Sequence, residues 1–141
     1  MEFLTSFEIC SSGLRAQRAK MDVIVTNLAN AGTTRTAEGG PYKRKIIVFS
    51  SEPLPGSFNE AMTTALRSVQ VDGVVEDKEG LKKVYDPGHP DADPQGFVTF
   101  PNVSTVVEMS DMITANRAYE ACVTAFDATK RMALKALEIG K

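Results

Sequence analysis

The segment DPGHPDAD places the single histidine of the chain, His89, among Asp86, Asp91 and Asp93. An imidazole beside three carboxylates could hold a metal ion or exchange protons. The spacing matches neither a calcium loop nor a zinc motif, and each aspartate adjoins a proline, where turns use its side chain. Turn chemistry is therefore the reading, and no cofactor is expected. EGGPYKRK sets two glycines before a basic run, but it lacks the G-x-x-x-x-G-K-[ST] order of a phosphate loop and leads into a strand. Lys43, Arg44 and Lys45 read instead as charges guarding a solvated strand edge. A third candidate is VTNLANAGTTRT, where Asn27 and Asn30 close an apolar rhythm with no nucleophile or base at a recognisable spacing. Their amides suit helix capping or bonds to a neighbouring helix. Cys10 and Cys122 have no second cysteine or histidine at ligand spacing and read as small buried hydrophobes.

The elements that would position these residues follow from periodicity. From Phe3 to Ala31, steps of four and three pick out Phe3, Phe7, Cys10, Leu14, Gln17, Met21, Ile24, Leu28 and Ala31, a helical seam broken only by Gln17. Gly13 is its weak point, since glycine inside a helix costs about 1 kcal/mol against alanine. Gly32 is the expected stop, in the left-handed geometry of a C-cap. A second helix is predicted from Val103 to Ile139, started by Pro101 and Asn102 and stopped by Gly140. Its seam runs through Met109, Met112, Asn116, Tyr119, Val123, Phe126, Lys130, Ala133 and Leu137, with Asn116 fixing register. The strand-like runs RKIIVFS, VQVDGVVED, LKKVYD and GFVTF lie between the helices, separated by Gly and Pro clusters. The amphipathic stretch near 58–67 allows a short helix.

The expected fold is thus mainly α with a small β-rich insert. Residues 1–33 and 102–141 form a discontinuous helical core, and 34–101 the insert. The two long helices pair as an antiparallel, coiled-coil-like layer, with Phe7, Leu14, Met21 and Leu28 facing Met112, Tyr119 and Phe126. Behind each seam runs a second stripe of small residues. It holds Ala16, Ala19 and Val23 on the first helix and Ala118, Ala121, Ala125 and Ala128 on the second. A solvated helix face normally carries charges. Two such stripes therefore point to close packing against other subunits.

Composition excludes several classes. With 16 basic and 18 acidic side chains and a net charge of -2, the chain has no electrostatic footprint for nucleic acid. No apolar run reaches the roughly 20 residues that cross a bilayer. MEFLTSFEIC lacks a basic leader and a cleavage site, so no cleaved signal peptide is expected.

VTNLANAGTT resembles the N-terminal signature of bacterial flagellar axial proteins of the rod and hook. The C-terminal part from KVYDPGHPDADPQGFVTFPNV to KALEIGK is similar, more narrowly, to the flagellar basal-body rod protein FlgC family. The likeness covers both ends and much of the middle, apart from Pro53 to Arg67. It implies paired terminal helices as an inner layer, with Asn27, Leu28, Asn30 and Ala31 as an assembly motif. It also implies a structural rather than enzymatic role, as a proximal-rod subunit that polymerises helically and transmits torque across the periplasm. The implied partners are other copies, neighbouring rod proteins of the FlgB, FlgF and FliE type, and the flagellar type III export apparatus. Two rival classes follow from the residues alone: a small hydrolase built on His89, and a soluble helical-hairpin adaptor forming a discrete complex.

Overall fold

The computed structural model describes residues 2–54 and 66–139. Two long helices, α1 (Glu2–Ala29) and α2 (Thr105–Ile139), bracket four strands, β1 (Lys45–Pro53), β2 (Arg67–Glu76), β3 (Lys82–Tyr85) and β4 (Phe97–Phe100). The side chain of Phe3, most of the expected short helix near 58–67 and the Gly140 stop lie outside the described residues. Arg67, expected at the end of that helix, opens β2.

The helices run antiparallel. Phe7 meets Phe126 edge-on with ring centroids 4.8 Å apart, and Asn27 near the end of α1 bonds Glu108 near the start of α2. The face that α2 turns inward is displaced from the expected seam. Met112, Tyr119, Phe126 and Ala133 are half-buried as that seam requires, but Glu108, Ala115 and Thr129 are buried and Cys122 half-buried. Met109, Asn116, Val123, Lys130 and Leu137 point outward instead. Asn116 does not fix register inside the seam, since its amide bonds Glu120 one turn along the exposed surface. The physical reason is distance: small side chains every seventh residue let the two backbones approach, which large ones would prevent.

Gly13 is part of the same close approach. A Cβ built there would lie 3.2 Å from Cys122 Sγ. Replacing Gly13 by alanine should gain only part of the roughly 1 kcal/mol of helix propensity in the native chain. In a Cys122→Ala background it should gain nearly all of it. Unfolding midpoints of the four chains check this coupling, which vanishes if the helices do not meet there.

Both ends of the helices differ slightly from expectation. α1 ends at Ala29, three residues before Gly32, which does not adopt a positive φ. The stop is made by polar groups: Asn30 Nδ2 donates to the Thr26 carbonyl, and Thr33 donates from both its amide and its hydroxyl to Asn30. α2 begins after Ser104, whose carbonyl accepts the Glu108 amide. Asn102 does not cap it. Its side chain accepts the Arg44 amide and donates to the carbonyls of Asp77 and Glu79, tying two loops together.

β1 and β2 form an antiparallel hairpin from Lys45↔Glu76 to Pro53↔Arg67, with a bulge that leaves Asp72 unpaired. The carboxylate of Asp72 accepts the Ser50 hydroxyl at 2.7 Å. β3 and β4 form a second antiparallel pair. Gly96 precedes β4 at φ 80, and a Cβ there would sit 2.8 Å from the Tyr85 ring, so turn and ring together require glycine. The β1–β2 hairpin lies on α1. There Ser12 Oγ donates to the Ile9 carbonyl and accepts the Val69 amide, linking the helix's small-residue stripe to β2.

Candidate assembly site

Asn27 sits at the centre of the molecule's polar chemistry. It is 1% exposed, on the last turns of α1, and faces the start of β1. Its Nδ2 donates to the Lys45 carbonyl at 2.9 Å and to Glu108 Oε2 at 3.1 Å. Its Oδ1 accepts the Lys45 amide and the Tyr42 hydroxyl, both at 2.9 Å. An asparagine amide has two donor hydrogens and two acceptor lone pairs, and all four are used. Against Lys45 the side chain acts as a peptide group, bonding both backbone atoms of the strand's first residue. The strand is thereby joined to a helix where a neighbouring strand would otherwise lie.

Glu108, also 1% exposed, completes the cluster from α2. Its Oε1 accepts Arg44 Nε at 2.6 Å, and the other end of that guanidinium lies 3.5 Å from Asp111. Arg44 therefore does not guard a solvated strand edge. It neutralises a buried carboxylate, and its backbone is held by Asn102 and Asp77 on either side. Lys43 remains near the surface, 3.8 Å from Glu76, and the Lys45 ammonium lies over the Tyr42 ring. Burial, followed by the charges of Glu108 and Glu76, raises the Tyr42 pKa above its ordinary value, so the phenol stays a donor to Asn27.

The other candidates separate by place. Asn27 lies 1% exposed, with its amide bonded to Lys45, Tyr42 and Glu108. Leu28 and Ala31 are half-buried, and Asn30 secures the helix end. Ala16 is 3% exposed. Ala19 is half-buried on the same stripe. Val23 lines a groove of about 290 Å³ with Ile46, Ile47 and Phe49 of β1. The hairpin covers this side of α1, which the alternation of the strands alone did not reveal. On α2, Ala121 and Ala125 are exposed and Ala118 and Ala128 half-buried. Around His89 the aspartates act in turns: Asp86 accepts the Gly88 amide, and Asp93 those of Gln95 and Phe97. Asp91 bonds Thr34 through its carboxylate and His89 Nδ1 through its amide.

Among the described residues the site is a polar clasp, and many large apolar side chains of the helices and strands are exposed. Residues 95–139, about a third of the chain, match the family model for the flagellar basal body rod FlgEFG protein C-terminal, so this part is similar to flagellar rod proteins. Full-length relatives narrow the class. The flagellar basal-body rod protein FlgC of Bacillus subtilis is 43% identical, covering 96% of this chain and 97% of its own length. That of Borreliella burgdorferi is 41% identical over 99% of this chain and 98% of its own. That of Salmonella typhimurium is 38% identical over the whole of both chains. The chain belongs to the flagellar basal-body rod protein FlgC family. It is a structural rod subunit and not an enzyme. No described helix is long and apolar enough to cross a membrane.

Proposed function

We propose that this subunit polymerises helically within the proximal rod and carries torque across the periplasm. The observation behind this is the outward side of α2, where the exposed small residues Ala121 and Ala125 and large exposed apolar side chains such as Met109, Ile113, Met132 and Leu137 are interspersed with charged ones. The helices act as a coiled-coil-like inner layer, residues 1–33 with 102–141, and the insert 34–101 lies outside it. The exposed small residues Ala121 and Ala125, flanked by Ala118 and Ala128, meet a neighbouring subunit laterally. The N-L-A-N segment serves assembly indirectly, by holding the hairpin at a fixed angle to the helix pair. Neighbours of the FlgB, FlgF and FliE type, and passage through the type III export apparatus without a cleaved leader, belong to the same reading.

Leucine at Ala121 or Ala125 tests the lateral face. Leucine is a good helix former, so secondary structure should persist, while overpacking at a tight contact costs about 1–3 kcal/mol. Repetition around a rod multiplies that cost, and swimming of a complemented deletion strain should fall sharply while circular dichroism stays unchanged. Normal swimming by both variants would leave this face in solvent. A complex of fixed size in place of a rod would favour the adaptor reading.

A further inference from the structure

The outer edge of β1 is a row of peptide groups whose first member is taken by Asn27. The Arg44 carbonyl accepts the Asp77 amide and the Leu54 amide donates to the Leu66 carbonyl, so the even-numbered peptide groups of β1 face β2. In an antiparallel pair the alternate residues turn both their N–H and their C=O away from the partner strand. Lys45, Ile47, Phe49 and Ser51 are those residues. Asn27 bonds both backbone atoms of Lys45, which agrees with this phase, and Arg67 donates to the Ser51 carbonyl. Among the described residues no loop or side chain bonds the outward amide or carbonyl of Ile47 or Phe49.

These groups border the groove of about 290 Å³ between α1 and β1. Its helix wall is Lys20, Val23 and Ile24, the turns of α1 that precede Asn27, and Ile47 and Phe49 lie opposite. Val23 and Ile47 are half-buried and Phe49 is 37% exposed. Unpaired backbone groups on one side and an apolar helix face on the other make an edge that proteins ordinarily cover or blunt. The charges of the lining are unbalanced in use. Glu108 and Asp111 are both engaged by Arg44. Among the described residues neither Lys20 nor Lys45 forms an ion pair, and the Lys45 ammonium has the Tyr42 ring beneath it.

We propose that this groove docks a short extended peptide of another protein, added as a third strand on β1, apolar towards α1 and carrying a carboxylate for Lys20. Main-chain bonds to Ile47 and Phe49 continue the row that Asn27 begins, and the Asn27 side chain marks where the added strand stops. Side chains alternate along a strand, so every second one of the peptide lies over Val23 and Ile24. A second copy of this chain does not fit. Its own β1 edge is lined by its own α1, and a groove of this size admits a strand without a helix attached. The inference concerns the hairpin alone, goes beyond the rod reading and does not depend on how the helices polymerise.

The probe is an acetylated, amidated peptide that alternates valine with threonine between terminal glutamates. Isothermal titration into the purified full chain should show saturable one-to-one binding. Two versions, each N-methylated on one alternate set of residues, separate strand addition from apolar adsorption. Only one set of peptide amides meets β1, so one version should bind at least roughly tenfold more weakly than the other. At saturation the Ile47 and Phe49 amides should gain protection from hydrogen exchange. Lys20→Glu should keep native circular dichroism and weaken the glutamate probe by roughly tenfold, while a version ending in glutamine binds both chains alike. No binding, equal affinities of the two methylated versions, unchanged binding by Lys20→Glu, or protection gained elsewhere would each overturn the proposal. So would protection of Ile47 and Phe49 that rises with protein concentration in the absence of peptide, which would give the edge to a second copy.

Discussion

Asn27→Ala is expected to destabilise the chain by about 3–5 kcal/mol, because it strands several buried groups at once. The substitution removes a small side chain, so lost packing is a minor part of the effect. What it leaves are the Lys45 amide and carbonyl, the Tyr42 hydroxyl and one oxygen of Glu108, all bonded to Asn27 in the native chain. Tyr42→Phe removes one bond from the same cluster and should cost about 1 kcal/mol. Asn27→Asp is the sharper control. It keeps the size and the acceptor that serves Tyr42 and Lys45, but it has no amide to donate to Glu108 and sets a second carboxylate against it. It should therefore be at least as damaging as alanine. Urea unfolding of the three variants decides the point. A loss of under about 1 kcal/mol for Asn27→Ala would mean that water replaces the amide and the clasp is not closed.

Much of the architecture was legible because it is periodic. Phe7, Leu14, Met21 and Leu28 recur with the helical period, and the strand runs are β-branched and punctuated by glycine and proline. The clasp was not legible, for a physical reason. Asn27 reaches partners 15, 18 and 81 residues away along the chain. No local spacing marks a bond of that range, and an asparagine near a helix end has a cheaper local explanation in capping. Asn30 does have that local role, which is why the two residues look alike in sequence and behave differently in the fold. The inward face of α2 differs from the expected seam because apolar size is not the sign of burial there. Ala115, Cys122 and Thr129 are hidden by closeness of backbones instead, and Glu108 by its bonds. The seven-residue recurrence of these positions was the available signal. The small stripe of α1 raised a similar ambiguity, since small residues suit a neighbouring subunit and a hairpin of the same chain equally well.

Arg44→Met should cost about 3 kcal/mol or more, since removing one partner of a buried ion pair leaves the other charge unpaired. The two partners are not equivalent. Glu108 is sealed, with its side chain 1% exposed, whereas Arg44 keeps 27% of its side chain in solvent and has Asp111 at 3.5 Å as a second counter-charge. Without Arg44 the carboxylate retains only the Asn27 amide as a direct side-chain partner. Without the carboxylate, the guanidinium can turn to Asp111 and water. Glu108→Gln should accordingly be the milder change, because its carbonyl still accepts from Asn27 while the buried charge is gone. The double variant Arg44→Met/Glu108→Gln should then recover most of what Arg44→Met loses, as methionine packs where the guanidinium stem lay and no buried charge remains. The measurement is a double-mutant cycle in urea. Coupling of about 2 kcal/mol or more is expected for groups in direct contact at 2.6 Å. Additive losses, or equal losses for the two single variants, would show that the carboxylate is solvated in the folded chain.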